Sequence, residues 1–233
     1  MSAPAPVQID LYSDVHCPYA YVTAYRLRKL VPEYRGRLRI AYHSLALEYV
    51  NQQPTPKPIL DNETPVLLLE EPDIPYQPWH APDSEWPVTI WPALEAIACA
   101  ERQGWELAAD LDWAIRVAFF AESRCISMRH VLFALAQGTG LDMLRFTTDF
   151  DGGVAKRRVL EDAQTGWERL KVAGSPTLVL PSGRQSSYRD LGLPKITLDK
   201  DRHYRLATIE PAPCHGDACL DLLRATFDTA LSG

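Results

Sequence analysis

The first 45 residues alternate between apolar and polar positions in a pattern that predicts a strand, a helix and a second strand. Residues 7–12 alternate with the period of two that is typical of a half-buried strand. Helical spacing follows over Pro18–Leu30, where the proline suits the first turn and Pro32 ends the helix. Leu38–Ser44 then predicts a second strand. A strand–helix–strand unit of this kind predicts a parallel pair with a right-handed crossover.

The centre of the chain changes from a proline-rich segment to a long run with helical periodicity. Residues 51–92 contain ten of the nineteen prolines, so we predict an irregular surface segment in which neither strand nor helix persists. From residue 91 to about residue 171 the spacing of apolar side chains predicts four or five helices. The predicted breaks lie at Gly104, Ser123, 138–140 and 151–153.

The last third of the chain returns to strand signals and ends on a helical pattern. Residues 178–180 form a short apolar strand, and the turn at 181–183 predicts a second strand after it. Residues 217–231 space leucine and phenylalanine three or four apart, which predicts an amphipathic final helix. The predicted order is strand, helix, strand, helical segment, strand, strand, helix.

Composition narrows the class of protein. With 233 residues, of which 46% are apolar and 23% charged, the chain is long enough for one globular domain with a large insert. Its net charge of −6 argues against a nucleic-acid partner, and no apolar run reaches the roughly 18 residues of a membrane helix. Because residues 1–6 lack the features of an export signal, we expect a cytoplasmic protein. Five cysteines are too few for a disulfide scaffold, so any thiol chemistry is local.

Cys17 is the residue that physical chemistry singles out. It directly precedes the predicted helix, where unpaired backbone N–H groups and the positive end of the helix dipole favour a thiolate. The neighbouring His16 would add positive charge or donate a hydrogen bond. We therefore predict a lowered thiol pKa at Cys17, with a buried, inert packing cysteine as the alternative.

A second feature is the segment Gly174-Ser175-Pro176-Thr177, which comes immediately before an apolar strand. A cis peptide at Ser175–Pro176 is accessible to proline and is typical of tight turns, whereas an ordinary trans proline also starts strands. Spacing alone leaves both conformations open.

Together these features resemble a known family. Cys17-Pro18-Tyr19-Ala20 after a first strand, a helical insert, and Gly174-Ser175-Pro176-Thr177 before the next strand resemble the DsbA family of thioredoxin-fold proteins. The FrnE-like branch, related to 2-hydroxychromene-2-carboxylate isomerases and kappa-class glutathione transferases, is most similar, and residues 118–127, 131–136 and 140–142 resemble its insert.

The resemblance implies a fold and a site. The fold is α/β and thioredoxin-like, with a domain formed by residues 1–45 and 171–233 and a large all-helical insert at 46–170. The site comprises a reactive Cys17 with Pro18, Tyr19 and His16 beside it, facing a cis Pro176. The resemblance also implies a homodimer.

The first functional hypothesis is a thiol–disulfide oxidoreductase that works with one thiol. Dithiol members of the family carry a second cysteine where this chain has Ala20, and a methyl group cannot resolve a mixed disulfide. After Cys17 attacks a protein disulfide or a small disulfide, glutathione or a distant cysteine must complete the reaction. The distant candidates are Cys214 and Cys219, whose spacing is similar to that of a C-terminal pair in some FrnE-like proteins.

Whether Cys214 and Cys219 bond to each other stays open at this point. In a regular helix, residues five apart lie beyond the ~7 Å Cα separation that a disulfide allows. A bridge is therefore feasible only if the segment before Cys219 is looped, which a helix cap at Asp217 would permit. Two unpaired thiols are the alternative. The spacing of Cys214, His215 and Cys219 is not that of a zinc site, so we expect no metal.

Two further hypotheses belong to different functional classes. In a glutathione-dependent transferase or isomerase, Cys17 would stabilise or attack the thiolate of glutathione. The second substrate would be a small electrophile. The backbone at Ser175 and Pro176 would then pair with the glutathione main chain. In a non-catalytic binding protein, three tryptophans of the proline-rich segment would line a ligand groove. They are Trp79, Trp86 and Trp91.

Overall fold

The predicted strand–helix–strand unit opens the fold. The computed structural model describes residues 5–232, so residues 1–4, which belong to the segment inspected for an export signal, and residue 233 lie outside it. Strand β1 is Val7–Ser13, helix α1 is Pro18–Leu30 and strand β2 is Leu38–Ser44. The two strands pair in parallel, in a register that places Ile9 opposite Ile40. The prediction for this unit is confirmed.

A short antiparallel hairpin completes the sheet. Strand β3, Thr177–Val179, pairs antiparallel with β1, and strand β4, Gln185–Ser187, pairs antiparallel with β3. The strand order is β2-β1-β3-β4. This arrangement places the start of β3 beside the end of β1, where the chain turns into α1, and it confirms the predicted pair of strands joined by a turn.

Helices fill most of the segment between β2 and β3. Their bounds are α2 Leu47–Asn51, α3 Lys57–Leu68, α4 Trp91–Glu101, α5 Trp105–Phe120, α6 Arg129–Gly138, α7 Met143–Asp151 and α8 Lys156–Gln164. A π-helical turn over Thr165–Arg169 continues α8. The helices after residue 90 agree with the predicted number and breaks, and the α/β class with a helical insert is confirmed. The domain boundaries stay a prediction.

Helix α3 overturns the expectation of an irregular segment at 51–92. The helix tolerates its two prolines because Pro58 lies in the first turn, where a backbone N–H has no helical partner. Pro65 lies inside the helix but on its exposed side, where the carbonyl that loses its partner can reach water. On the opposite side, Leu67 is fully buried and Leu60 is nearly so. Helix α3 packs against α1.

The pattern analysis also missed a two-stranded ribbon near the end of the chain. Strands β5, Lys195–Asp199, and β6, Arg205–Glu210, form an antiparallel pair separate from the main sheet. Every residue of β6 is exposed, whereas β5 half-buries three of its five residues. The ribbon packs on α3, and the last helix, α9, runs over Ala218–Ser232 as predicted.

One large cluster of buried apolar residues joins these parts, and a smaller cluster comprises Tyr12, Leu45, Val172 and Val179. Helix α9 packs on α1 and β1, whereas α4, α5 and α8 pack against β2. Within residues 5–232 no helix combines the length and apolar character that crossing a bilayer requires. Helix α1 packs against α3, α5 and α9, and its N-terminal end lies where the candidate site is found.

A histidine held between two carboxylates connects α8 to the sheet. His43 Nε2 lies 3.1 Å from Asp10 Oδ1, and His43 Nδ1 lies 2.9 Å from Asp162 Oδ1. The ring also stacks on Tyr12 with 4.6 Å between centroids. Burial opposes protonation, but the two carboxylates outweigh it and raise the pKa of His43 to about 9.

This geometry predicts a pH-dependent contribution to stability. Because the folded-state pKa lies above the unfolded value of 6.5, the contribution is complete below pH 6.5 and is lost as the pH rises through about 9. The shift corresponds to about 3 kcal/mol. Urea unfolding of the wild type and His43→Gln should differ most near pH 6 and converge near pH 9.5. A difference that is the same at both pH values would contradict the prediction.

Candidate active site

The turn between β1 and α1 presents Cys17 to the start of β3. Cys17 is the residue that immediately precedes α1, and Pro18 is the first helical residue. The Cys17 thiol donates a hydrogen bond to the Ser175 carbonyl oxygen, with 3.2 Å between sulfur and oxygen. The Ser175–Pro176 peptide bond is cis. The structure therefore brings together the two features that the sequence analysis singled out, although they are far apart along the chain.

Asp14 holds this turn together. Its Oδ1 accepts a hydrogen bond from the His16 N–H at 2.7 Å, and its Oδ2 accepts one from the Leu47 N–H at 2.7 Å. The Asp14 N–H donates to Ser175 Oγ at 2.9 Å. Burial raises the pKa of Asp14 to about 6. One side chain thus connects the turn to the start of α2, while its backbone holds the segment that carries Pro176.

A fully buried arginine lies behind the turn. Arg116 Nη1 donates to the Asp14 carbonyl oxygen at 2.9 Å, and Nη2 donates to Ser13 Oγ at 3.1 Å. The guanidinium also makes two hydrogen bonds of 2.9 Å to Asp112, one turn earlier in α5. The sequence analysis missed this network, although an Asp and an Arg four apart within an apolar helix are a recognisable signal.

The predicted ionisation of Cys17 is wrong. The residue is only 5% exposed, and loss of solvation raises the pKa of its thiol to about 12. The charges of Glu63 and Asp14 raise this pKa further. The Ala20 N–H and Ser175 lower it, but by less than burial raises it. Cys17 in the structure is a shielded thiol and not a preformed thiolate.

His16 does not supply the positive charge that the sequence analysis assigned to it. Its side chain is buried, and desolvation lowers the pKa of the imidazole to about 3. Neither ring nitrogen has a hydrogen-bond partner among residues 5–232. The ring instead packs edge-on against Phe119 and is tilted against Trp86, with centroids 4.3 and 5.4 Å away. His16 is therefore a neutral packing residue.

Two tyrosines lie close to Cys17. The Tyr19 hydroxyl accepts a hydrogen bond of 3.1 Å from the Ile196 N–H, which ties α1 to β5. Tyr188 packs edge-on against Tyr19 with 5.6 Å between centroids. It also lies so close to Gly174 that a side-chain carbon there would overlap the Tyr188 hydroxyl. Tyr188 is the first site residue that sequence reasoning missed.

Glu63 is the second site residue that the sequence analysis missed. It lies on α3, inside the segment expected to be irregular, so its place on a packed helix face was not predictable from the proline pattern. Burial raises the pKa of Glu63 to about 7. Its charge is the largest contribution to the raised pKa of Cys17 after desolvation.

The C-terminal cysteines are joined to each other and lie away from Cys17. Cys214 and Cys219 form a disulfide with a Cα separation of 5.2 Å, and α9 begins only at Ala218, so the looped segment that a bridge requires is present. Both sulfurs lie 3.8 Å from the Gly192 carbonyl oxygen, which also accepts a hydrogen bond from Arg26. Arg26 is roughly 13 Å along α1 from Cys17. The structure does not bring the pair to the candidate site.

The remaining candidates have different surroundings. The two other cysteines differ in exposure: Cys99 is fully buried in α4, and Cys125 is partly exposed. Trp79 and Trp86 pack against each other and against Phe119 beside a small cavity, so they anchor the loop that carries them. In the part of the chain that the structure describes, no group of three or more His, Cys, Asp or Glu side chains could hold a metal ion.

Comparisons with known proteins agree with this geometry. A family model described as a DSBA-like thioredoxin domain matches residues 8–193. The fold is similar to that of a cytosolic disulfide reductase, DsbM, from Pseudomonas aeruginosa, with a TM-score of 0.68 and 20% identity over 96% of this chain and 100% of that one. A structure of the same reductase with GSH has a TM-score of 0.66 and 21% identity over 95% of this chain and 100% of that one.

A further similar structure comes from a different functional class. It is a 2-hydroxychromene-2-carboxylate isomerase, with a TM-score of 0.57 and 20% identity over 77% of this chain and 87% of that one. These similarities confirm the DsbA-like thioredoxin fold with a helical insert that the sequence predicts.

The Arg116 network predicts a large effect on stability. Arg116→Met would leave the buried Asp112 carboxylate unpaired and the Asp14 carbonyl without its donor, so we expect a loss of about 3–5 kcal/mol in the free energy of unfolding. The matched control is Arg157→Met, which breaks an exposed ion pair to Glu161 with the same spacing in α8 and should leave the free energy of unfolding nearly unchanged. Urea titration measures both, and similar losses would contradict the prediction.

The shielded thiol predicts slow alkylation. Near neutral pH, iodoacetamide should modify Cys17 in the folded protein more slowly than it modifies the partly exposed Cys125 and more slowly than a free model thiol. Peptide mass mapping over time gives the three rates. In urea the two cysteines should react at similar rates. Faster reaction at Cys17 in the folded protein would favour the lowered pKa that the sequence analysis expected.

Proposed function

Because this chain belongs to the DsbA-like thioredoxin domain family, we propose that it catalyses thiol–disulfide exchange at Cys17. The observation that carries the proposal is the position of this sulfur, at the N-terminal end of α1 and 3.2 Å from the Ser175 carbonyl oxygen. The sulfur attacks one sulfur of a disulfide and forms a mixed disulfide with it. The other sulfur leaves as a thiol once it has gained a proton.

A thiol from outside the protein completes the reaction in this proposal. Ala20 is buried at the place of the second cysteine and cannot attack the mixed disulfide. Cys214 and Cys219 are bonded to each other and lie away from the site. Glutathione is the proposed co-substrate, since its thiolate can release Cys17 by attacking the mixed disulfide. The similar reductase from Pseudomonas aeruginosa, which has a structure with GSH, supports this choice.

The burial of Cys17 restricts the substrate. The residue is 5% exposed, and Tyr19 and Tyr188 pack against each other beside it. A rigid folded protein surface could not bring a disulfide within bonding distance of this sulfur without moving the tyrosines. We therefore propose small disulfides, or disulfides in extended peptide segments, as the substrate class.

A glutathione-dependent isomerase or transferase is the second candidate, and one observation favours it. The raised pKa keeps the Cys17 thiol protonated near neutral pH, so the thiol can donate a hydrogen bond to a glutathione thiolate instead of attacking it. Ala20 is no obstacle to such chemistry. The fold similarity to an isomerase is compatible with this alternative.

Mass spectrometry with glutathione separates the two candidates. After incubation with glutathione disulfide, the wild type should gain one glutathionyl group at Cys17, and reduced glutathione should remove it. Cys17→Ser should abolish both the adduct and turnover in an assay coupled to glutathione reductase. Cys125→Ser is the matched control and should behave as the wild type, because that thiol lies elsewhere.

Other outcomes would contradict thiol–disulfide exchange. An unmodified wild type that binds reduced glutathione and converts an electrophilic substrate would favour the second candidate. In that case Cys17→Ser should keep its activity, since a serine hydroxyl also donates a hydrogen bond.

A further inference from the structure

Tyr188 contacts both segments that flank the sulfur of Cys17. On one side its ring packs edge-on against Tyr19, two residues after Cys17, with 5.6 Å between centroids. On the other side its hydroxyl lies against Gly174, so closely that a side-chain carbon added there would overlap it. Ser175, the next residue, accepts the hydrogen bond of the Cys17 thiol. The ring of Tyr188 therefore connects the start of α1 with the segment before β3, and Cys17 lies between these two parts.

The backbone of Tyr188 adopts a conformation that bulky residues avoid. Its φ is +39°, on the positive side that glycine favours. The Leu193 N–H donates a hydrogen bond of 3.0 Å to the Tyr188 carbonyl oxygen, and a capping box joins Ser187 to Asp190. Strain of this kind persists only where the surrounding structure holds the residue, and it is concentrated at functional sites. The turn after β4 thus fixes the direction in which the Tyr188 side chain projects.

The end of this turn is also fixed. The carbonyl oxygen of Gly192 accepts a hydrogen bond of 3.0 Å from the fully buried Arg26. The sulfurs of Cys214 and Cys219 pack so closely against Gly192 that a side-chain carbon there would overlap Cys214 Sγ. Because both ends of the turn are held, movement at Tyr188 is movement of the side chain and not of the backbone.

The side chain of Tyr188 is held less firmly than that of Tyr19. Tyr19 is 7% exposed, and its hydroxyl accepts a hydrogen bond of 3.1 Å from the Ile196 N–H. Tyr188 is half-buried, and within residues 5–232 no hydrogen bond joins its hydroxyl to another group. Only packing keeps its ring in place. Of the two tyrosines beside Cys17, Tyr188 is therefore the one that can rotate away.

We propose that Tyr188 determines which disulfides reach Cys17, an inference that rests on the proposed exchange activity. Rotation of its side chain admits the substrate, while Tyr19 and the Ser175–Pro176 segment stay in place. A small or extended group needs little space beside the ring. A disulfide on the surface of a folded protein is excluded, because the residues around it meet the ring before the two sulfurs meet.

Two mixed disulfides with the same leaving group test this role. One joins nitrothiobenzoate to glutathione, and the other joins it to a surface cysteine of a folded carrier protein. In both reactions the Cys17 sulfur bonds to the glutathione or carrier sulfur, and the S–S bond to nitrothiobenzoate breaks. Cys17 is oxidised, nitrothiobenzoate is reduced and leaves as a coloured thiolate, and the thiol proton passes to solvent. The probes therefore differ in size but not in the bond that breaks.

Removal of the ring should change the selectivity of Cys17. We define the selectivity as the rate with the carrier probe divided by the rate with the glutathione probe, in a Cys125→Ser background that removes the other partly exposed thiol. In Tyr188→Ala this ratio should rise by about tenfold, because the group that excludes the carrier is gone. Tyr188→Phe keeps the ring and loses only a hydroxyl without a hydrogen bond, so its ratio should equal that of the wild type.

Tyr204→Ala is the matched control. Tyr204 also has a positive φ, of +58°, and is also half-buried, but it lies in the turn between β5 and β6. Its removal should leave the selectivity unchanged, and urea unfolding shows that each variant compared is folded. If Tyr188→Ala does not fold, Tyr188→Gly takes its place, because glycine adopts a positive φ without strain.

Each outcome assigns failure to one proposal. If the wild type reacts with the glutathione probe and loss of the Tyr188 ring leaves the selectivity unchanged, the role of Tyr188 is wrong and the exchange activity stands. A wild type that reacts equally fast with both probes would also overturn the role, and this result needs no substitution. If the wild type reacts with neither probe, the exchange activity itself is wrong, and the role of Tyr188 is rejected with it.

Discussion

The hydrogen bonds of Asp14 are the constraint on which the candidate site depends. Its carboxylate accepts from the backbone of the β1–α1 turn and of Leu47, its N–H donates to Ser175, and its carbonyl accepts from Arg116. Four segments that are distant in sequence therefore meet at one residue. Because these groups are buried, each would lose its solvation without a replacement if Asp14 moved. The position of Cys17 opposite Ser175 is a consequence of this network.

Burial affects the pKa of the Cys17 thiol more strongly than the helix dipole does. A charge at a helix terminus gains about 0.3–1 kcal/mol and rarely more than about 2 kcal/mol from the dipole. The rise in the thiol pKa from 9.0 to about 12 corresponds to about 4 kcal/mol against the thiolate. The carboxylates of Glu63 and Asp14 act in the same direction as desolvation. A position at a helix N-terminus is therefore not sufficient to make this cysteine a thiolate.

Local sequence predicts some elements of this fold and not others. The bounds of α1, the parallel pair and the β3–β4 hairpin follow from periodicity and from the prolines and glycines that end each element. Helix α3 was missed because proline content says nothing about which side of a helix meets solvent. Strand β6 was missed because all of its residues are exposed, so no core sets its pattern.

Some features of the candidate site were also predictable from local sequence, and others were not. Cys17 and the Ser175–Pro176 bond were predictable because each belongs to a short motif that a family resemblance places in one site. The ionisation of Cys17, the neutral state of His16 and the presence of Glu63 were not. All three depend on which side chains from other elements surround the motif, and this information resides in tertiary packing. Only the Asp112–Arg116 pair had a local signature that a closer inspection of α5 would have detected.

The alanine at position 20 and the burial of Cys17 together determine what the proposed exchange requires. In a dithiol motif, attack by the second cysteine removes the mixed disulfide without help from outside. With Ala20 in that position, the mixed disulfide of the proposed exchange would persist until an external thiol reached a sulfur that is almost completely buried. In the proposed exchange, the rate of both half-reactions would depend on access to this sulfur past Tyr19 and Tyr188. The proposed selectivity for small disulfides, or for disulfides in extended segments, rests on this geometry, because the protein contributes only one sulfur and that sulfur is buried.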